Sequence, residues 1–192
     1  FFVHSPFAER CEDGSLVIRN DSALFMQATF DVYGVKTRLI LSADSAYELI
    51  EGIVRVTKAH QNEERLKWDI NNIPHHCSYL SLSDEKGESK TVPTDDVRWL
   101  YEEQGEQKGF LISTSHVIPS EDTTQPPHKQ AAAYYKDVAK MLQGGFLVTM
   151  EEPSSSNPKP IVIEISDKGQ KHVKHFPSVG MTTTSAPAPR AG

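Results

Sequence analysis

The sequence has no long hydrophobic run and few cysteines, and these two absences exclude several classes of protein. None of its apolar stretches approaches the roughly 20 residues that a membrane-spanning helix needs. Its two cysteines, Cys11 and Cys77, cannot form a disulfide framework, so a reducing, cytoplasmic setting is expected. The chain opens at Phe1 in an apolar stretch without a basic leader, and we expect that it lacks its natural beginning.

Positive charge is also scarce, with 20 Lys and Arg against 26 Asp and Glu and a net charge of −6. An acidic chain of this kind is not expected to present the broad basic face with which many proteins bind nucleic acid. An enzyme acting on phosphodiesters is still possible, because a bound metal can supply positive charge locally. The length of 192 residues and the 38% hydrophobic content fit one soluble domain.

Several common catalytic motifs are missing from the sequence. There is no glycine-rich phosphate loop, no Gly-x-Ser-x-Gly elbow, no Cys-x-x-Cys pair and no His-Glu-x-x-His helix. The chemistry, if any, must therefore come from residues that are separated along the chain.

Hydrophobic patterning predicts alternating strands and helices, with hairpins at 23–42 and 146–165. This order indicates an α/β fold with a mixed sheet. Residues 83–93 are polar and predict a loop, and the Thr-, Ser-, Ala- and Pro-rich tail at 178–192 predicts disorder beyond a domain at 1–177. The predicted strands are 1–3, 15–19, 23–32, 35–42, 69–73, 109–114, 146–150 and 160–165, and the predicted helices are 45–58, 94–104 and 129–143.

Polar side chains follow several apolar strands, where loops present them at the rim of a sheet. The first is Asp44, which comes after Leu39–Leu41 and before a helix that Ser45 is expected to cap. A carboxylate has two oxygens and can bridge two metal ions. The alternative is that Asp44 simply stabilises the start of the helix.

Two adjacent histidines, His75 and His76, follow the next predicted strand and Pro74. Imidazole is a common metal ligand near neutral pH. Neighbours on an extended chain point to opposite sides, so one of the two is expected to face a metal while the other supports it or contacts substrate. The alternative is a pair of ordinary loop histidines. Cys77 is expected to be a small buried thiol, with a thiolate ligand or nucleophile as the alternative.

Two further histidines are placed where they could line a pocket. His116 follows the strand 109–114, and His128 stands at the start of the Ala-rich helix. Taken singly, each is as well explained as a surface or capping residue.

Taken in order, these segments resemble the C-terminal half of the hydrolase domain of bacterial DNA-uptake (competence) channel proteins and their soluble relatives, which have the metallo-β-lactamase fold. The likeness covers residues from about 1 to 168 and depends on the order of several short motifs together. The matching segments are Val3-His4-Ser5-Pro6, Gly14–Arg19, Leu39–Asp44, Ile73–Ser78, Leu111–Ser113, Pro126–His128 and the predicted hairpin 146–165.

The resemblance implies the C-terminal half of an αββα sandwich and a hydrolase with two divalent metal ions, zinc or manganese. It implies that Asp44 bridges both ions and that His75 or His76 binds one, and of these two we favour His75. Phosphodiester cleavage is the implied reaction, with nucleic acid or a small phosphoester as substrate. The residues implied to orient substrate or leaving group are His76, Ser78, His116 and His128.

The sequence also departs from the family pattern. Ala43 stands where a glycine usually precedes the aspartate, and Cys77 where a glycine follows the histidines, so a positive φ at Cys77 would be strained. The family's His-x-His-x-Asp-His cluster is absent. We therefore expect a missing N-terminal half or complementary chain as partner, an inactive isolated fragment, and an exposed sheet edge and apolar face.

Two alternatives remain at this point. One is a non-catalytic binding or regulatory domain that keeps the fold without the metals. The other is an unrelated α/β domain with incidental loop histidines.

Overall fold

The computed structural model describes residues 1–5 and 23–174. The strand predicted at 15–19 and the disorder predicted at 178–192 lie outside these ranges. The elements are β1 (Phe2–Ser5), β2 (Phe25–Val32), β3 (Val35–Leu41), α1 (Tyr47–Ala59), β4 (Trp68–Ile73), α2 (Asp95–Glu102), β5 (Gly105–Ser113), α3 (Lys129–Met141), β6 (Gly145–Val148), β7 (Ile163–Ser166) and β8 (Gly169–His172), with short 3-10 turns at Glu63–Arg65 and Tyr79–Ser81.

Six of the strands form one mixed sheet in the order β1-β2-β3-β4-β5-β6. β1, β2 and β3 pair antiparallel, so the hairpin predicted at 23–42 is confirmed. β3 to β6 then run parallel to one another. The predicted α/β class with a mixed sheet is therefore confirmed.

The three helices pack on one face of this sheet. Each connects two successive parallel strands, and the strands advance in one direction, so right-handed crossovers bring every helix to the same side. The core lies between the sheet and the helices. Its fully buried members include Ile40, Ile53, Trp68, Leu111 and Tyr135.

The opposite face of the sheet is also apolar, and residues 1–5 and 23–174 cover only part of it. The hairpin β7–β8 lies against β2 and β3, and the ring of His172 meets Phe110 edge-on at 6.3 Å between centroids. Because residues alternate between the faces, Val3, Phe30 and Leu41 lie on the side away from Ile40. These three side chains remain 55%, 39% and 36% exposed.

The prediction of a closing hairpin at 146–165 is wrong. β6 pairs parallel with β5, because α3 returns the chain to the edge of the sheet at which β5 begins. β7 pairs instead with β8, across a tight turn that ends at Gly169 with φ of 86°. The sequence signal for this second hairpin was the turn-forming run Asp167-Lys168-Gly169 between two alternating segments.

The end of α3 is fixed by a close approach of two backbones. A Cβ atom added at Gly144 would lie 1.8 Å from the carbonyl oxygen of Gly109 in β5. The Gly144 amide also donates to the Ala139 carbonyl at 2.9 Å and closes the helix. Only glycine fits here, because the atom it would meet is backbone and cannot turn aside.

Replacing Gly144 by alanine should therefore destabilise the fold by about 3 kcal/mol, since β5 and the end of α3 must separate. Gly52 in α1 provides the matched control, because nothing lies within 4 Å of a Cβ placed there. Gly52→Ala should raise stability by about 0.5–1 kcal/mol through helix propensity. Urea unfolding of both variants measures the difference, and equal midpoints would contradict this packing.

Candidate functional site

The candidate site lies at one edge of the sheet, where four parallel strands end together. Asp44 follows β3, and the two adjacent histidines follow β4. The segment Thr114–His116 follows β5, and Thr149 follows β6. The topology therefore brings together residues that are more than 100 positions apart in the sequence.

The segment after β4 is a single turn of left-handed helix. His75, His76 and Cys77 have consecutive φ angles of 49°, 53° and 67°. The Cys77 amide donates to the Pro74 carbonyl at 3.2 Å, and the Ser78 amide to the His75 carbonyl at 3.0 Å. Such a conformation costs about 1–2 kcal/mol for each non-glycine residue, so the surroundings must hold it in place.

Two neighbouring loops hold this turn. The His75 amide donates to the carbonyl of Ala43 at 2.9 Å, and Ala43 itself has a positive φ of 32°. From the other side, the His128 amide donates to the Cys77 carbonyl at 3.0 Å. Backbone strain at Ala43 and Cys77, where glycine was expected from the resemblance, is thus offset by hydrogen bonds between loops.

The side chain of His128 also supports the left-handed turn. The side chain is buried, and its Nδ1 accepts a hydrogen bond from the Tyr79 amide at 3.3 Å. Nε2 then carries the proton and faces the Thr124 carbonyl at 3.4 Å. Burial lowers the pKa of His128, which favours this neutral form. The structure thus places His128, expected to contact substrate, in the interior as a positioning residue.

Ser78 also has a structural contact. Its side chain is buried, and Oγ accepts a hydrogen bond from the Leu80 amide at 3.3 Å at the start of the 3-10 turn Tyr79–Ser81. The hydroxyl thereby caps the segment that follows the left-handed turn.

Asp44 and His76 face one another at the open side of the site. Oδ1 of Asp44 lies 3.7 Å from Nε2 of His76, and both side chains are about half exposed. Nδ1 of His76 donates to the Thr114 carbonyl at 2.7 Å, because a carbonyl can only accept. That bond fixes the tautomer and leaves the Nε2 lone pair directed toward the carboxylate side.

Asp44 does not cap the following helix. The N-cap of α1 is Ala46, which makes no side-chain capping bond, and the helix begins at Tyr47. Ser45 was expected to be the N-cap, and this was wrong by one residue. Its Oγ is buried and has no hydrogen-bond partner among the described residues. The carboxylate of Asp44 is therefore available for another role.

His75 is more enclosed than its neighbour. Its Nδ1 is buried and has no hydrogen-bond partner within residues 1–5 and 23–174. The ring lies close enough to His128 to contribute to the lowered pKa of that histidine. His75 is thus oriented toward the interior side of the turn, whereas His76 is oriented toward Asp44.

Cys77 is a buried free thiol. Burial raises the pKa of Cys77 to about 12, so the thiol stays protonated at neutral pH. A protonated, buried thiol is a poor nucleophile and a poor metal ligand. Its expected role as a small buried side chain is confirmed.

A cleft of about 420 Å³ opens beside His76. His116 is among its lining residues. Sequence reasoning missed several other lining residues, whose only signal was their position just after β5 and β6 or in the Pro-containing loop. These are Thr114, Ser115, Pro126, Pro127, Thr149 and Met150.

No protein-family model and no curated protein matches this chain. Within residues 1–5 and 23–174, no three His, Cys, Asp or Glu side chains are grouped so that they could hold a metal ion. No helix in the same part of the chain is long and apolar enough to cross a membrane. The most distinctive polar feature of this edge of the sheet is the pair formed by Asp44 and His76.

Truncating His128 should loosen the left-handed turn. His128→Ala removes a buried ring and leaves the Tyr79 amide without its acceptor, so we expect a loss of about 2–4 kcal/mol in the free energy of unfolding. His116→Ala, at an exposed rim position, should change it by less than about 0.5 kcal/mol. Chemical denaturation compares the two variants. Equal stability in both would show that His128 does not support the turn.

Proposed function

We propose that this chain is the C-terminal part of a metal-dependent hydrolase that cleaves phosphodiester or related ester bonds with two divalent ions. The observation that carries this proposal is the pairing of Asp44 with His76 beside a cleft at the carboxyl edge of the sheet. The resemblance of the motifs Leu39–Asp44 and Ile73–Ser78 to metallo-β-lactamase-fold hydrolases supports the same assignment.

The geometry of the pair fits ligands of one ion. Two ligands about 2.0–2.1 Å from a tetrahedral zinc are roughly 3.4 Å apart, close to the 3.7 Å between Oδ1 of Asp44 and Nε2 of His76. The bond from His76 to a backbone carbonyl is the outer contact that metal-binding histidines usually make. We therefore assign His76 as the ligand in preference to His75. The second oxygen of Asp44 would reach the other ion.

Two protein ligands are fewer than the three or four that ordinary sites use. The remaining ligands would come from an N-terminal half or a complementary chain, with zinc or manganese as the ions. The partly uncovered face of the sheet supports this assignment, because Val3, Phe30 and Leu41 are apolar and exposed there. A partner that packs on this face would also reach the edge where Asp44 lies.

In such a site the ions would lower the pKa of a water and polarise the ester oxygen. The residues of this chain would bind and orient the substrate. His116 and Thr114 offer donors to phosphate oxygens around the cleft, whereas the Thr149 hydroxyl already donates to the Ser115 carbonyl at 3.1 Å. Pro126 and Met150 provide apolar surface for the remainder of the substrate, either nucleic acid or a small phosphoester. The free thiol of Cys77 agrees with a reducing, cytoplasmic setting.

Metal content of the full-length protein tests this proposal, measured by mass spectrometry in wild type and in single alanine variants. We expect about two equivalents of zinc or manganese in wild type. Asp44→Ala should lose most of both because it holds each ion, and His76→Ala should lose about one. His116→Ala is the matched control and should keep both ions, because His116 is not grouped with Asp44 and His76 so that the three could hold an ion.

Hydrolysis of bis(p-nitrophenyl) phosphate by the same proteins provides the second measurement. Activity should fall at least about 100-fold in Asp44→Ala and far less in His116→Ala. Loss of metal in His75→Ala but not in His76→Ala would reverse the ligand assignment. Metal-free wild-type protein, after attempted reloading, would instead favour a non-catalytic binding domain of the same fold.

A further inference from the structure

A second cleft lies between the β5–β6 edge of the sheet and the β7–β8 hairpin. Its volume is about 720 Å³, and it shares no lining residue with the cleft beside His76. Its polar lining includes three lysines from separate parts of the chain, Lys108, Lys171 and Lys174, together with His172. A volume between about 300 and 1,000 Å³ is typical of small-molecule sites.

The cleft carries the opposite charge to the chain as a whole. Its three lysines outweigh the single carboxylate that lines it, Glu152, and a second carboxylate, Glu164, stands opposite Lys171 in the β7–β8 pair without lining the cleft. The chain as a whole has a net charge of −6. Among the described residues, none of the three ammonium groups is within ion-pair distance of a carboxylate. This local excess would attract an anion.

The cleft is held in shape by contacts between the hairpin and the sheet. The Gln170 side chain donates to the Lys108 carbonyl at 3.3 Å, and the Lys108 amide donates to the Leu142 carbonyl at 2.7 Å. The rings of Phe110 and His172 meet edge-on across the junction. Lysines from β5 and β8 therefore line one cavity because these contacts fix the hairpin in position.

The lining is suited to a phosphate group. No arginine lines this cleft, so its positive charge comes from lysines alone. Lysines act as point charges and commonly bind phosphates. Phe110, Leu147 and Pro153 give the cleft an apolar wall against which a ring system could pack.

We propose that this cleft binds a phosphorylated small molecule of nucleotide size, with Lys108 and Lys171 contacting the phosphate and Phe110 and Leu147 contacting the ring. The site is independent of the proposed hydrolase function, because it uses none of the same residues.

Calorimetric titration of the full chain with adenosine 5′-monophosphate tests the proposal. EDTA in the buffer removes divalent ions, so that the Asp44–His76 site contributes no metal-dependent binding. The test variant is Lys108→Gln with Lys171→Gln. The matched control is Lys36→Gln with Lys140→Gln, which removes the same charge from residues that do not line the cleft.

We expect the wild type and the control to bind the nucleotide with affinities within twofold of each other, and the test variant to bind at least tenfold more weakly. Raising the salt concentration should weaken wild-type binding, because the contact is electrostatic. Inorganic phosphate that binds as tightly as the nucleotide would show that Phe110 and Leu147 do not contact a ring, and would overturn the nucleotide-sized ligand.

Three further results would overturn the proposal. The first is no nucleotide or phosphate binding at millimolar concentration. The second is equal affinity in the test variant and the control. The third is binding of uncharged adenosine, or of an acidic peptide, where the phosphate compounds do not bind.

Discussion

The hydrogen bond from the His75 amide to the Ala43 carbonyl joins the loops that follow β3 and β4. Both residues have positive φ angles, so each loop is strained by itself. The bond, together with the support of His128 under Cys77, makes the two strained loops a single unit. Asp44 and His76 extend from the two sides of this unit, and their separation of 3.7 Å follows from it.

These joined loops also divide the polar residues near the site into two groups, one buried and one exposed. His128 and Ser78 have polar side chains near the site, but both are buried and hydrogen-bonded to backbone. Their contribution is to keep a left-handed turn of non-glycine residues in place. The chemically available groups are the half-exposed Asp44, His76 and the rim residues of the cleft. This combination of buried supporting residues and exposed polar groups is compatible with the metal site that we propose.

The two faces of the sheet are covered to different extents by the described residues. The three helices cover one face, and the hairpin β7–β8 covers only the middle and one side of the other. The remaining apolar surface includes Val3 and Leu41, next to the candidate site. An additional layer on that face would bury this surface, and under the proposed function it would also contribute metal ligands.

Periodicity in the sequence was enough to predict the α/β class, the β2–β3 hairpin and all three helices. Each of these depends on how apolar and polar residues alternate within a short stretch of the chain. It failed where partners are distant. β6 looks the same whether it pairs with β5 or with a following strand, and the orientation of His75 and His76 depends on a turn whose φ angles no local pattern specifies. The cleft lined by Thr114 and Thr149 likewise exists only because parallel strands end together.

Anomalous diffraction from crystals of the full-length protein grown with manganese or zinc tests the central claim most directly. The account expects a metal peak about 2.0–2.2 Å from both a carboxylate oxygen of Asp44 and Nε2 of His76, with Nδ1 of His76 still bonded to the Thr114 carbonyl. A fully loaded crystal with no metal at this edge of the sheet would contradict it.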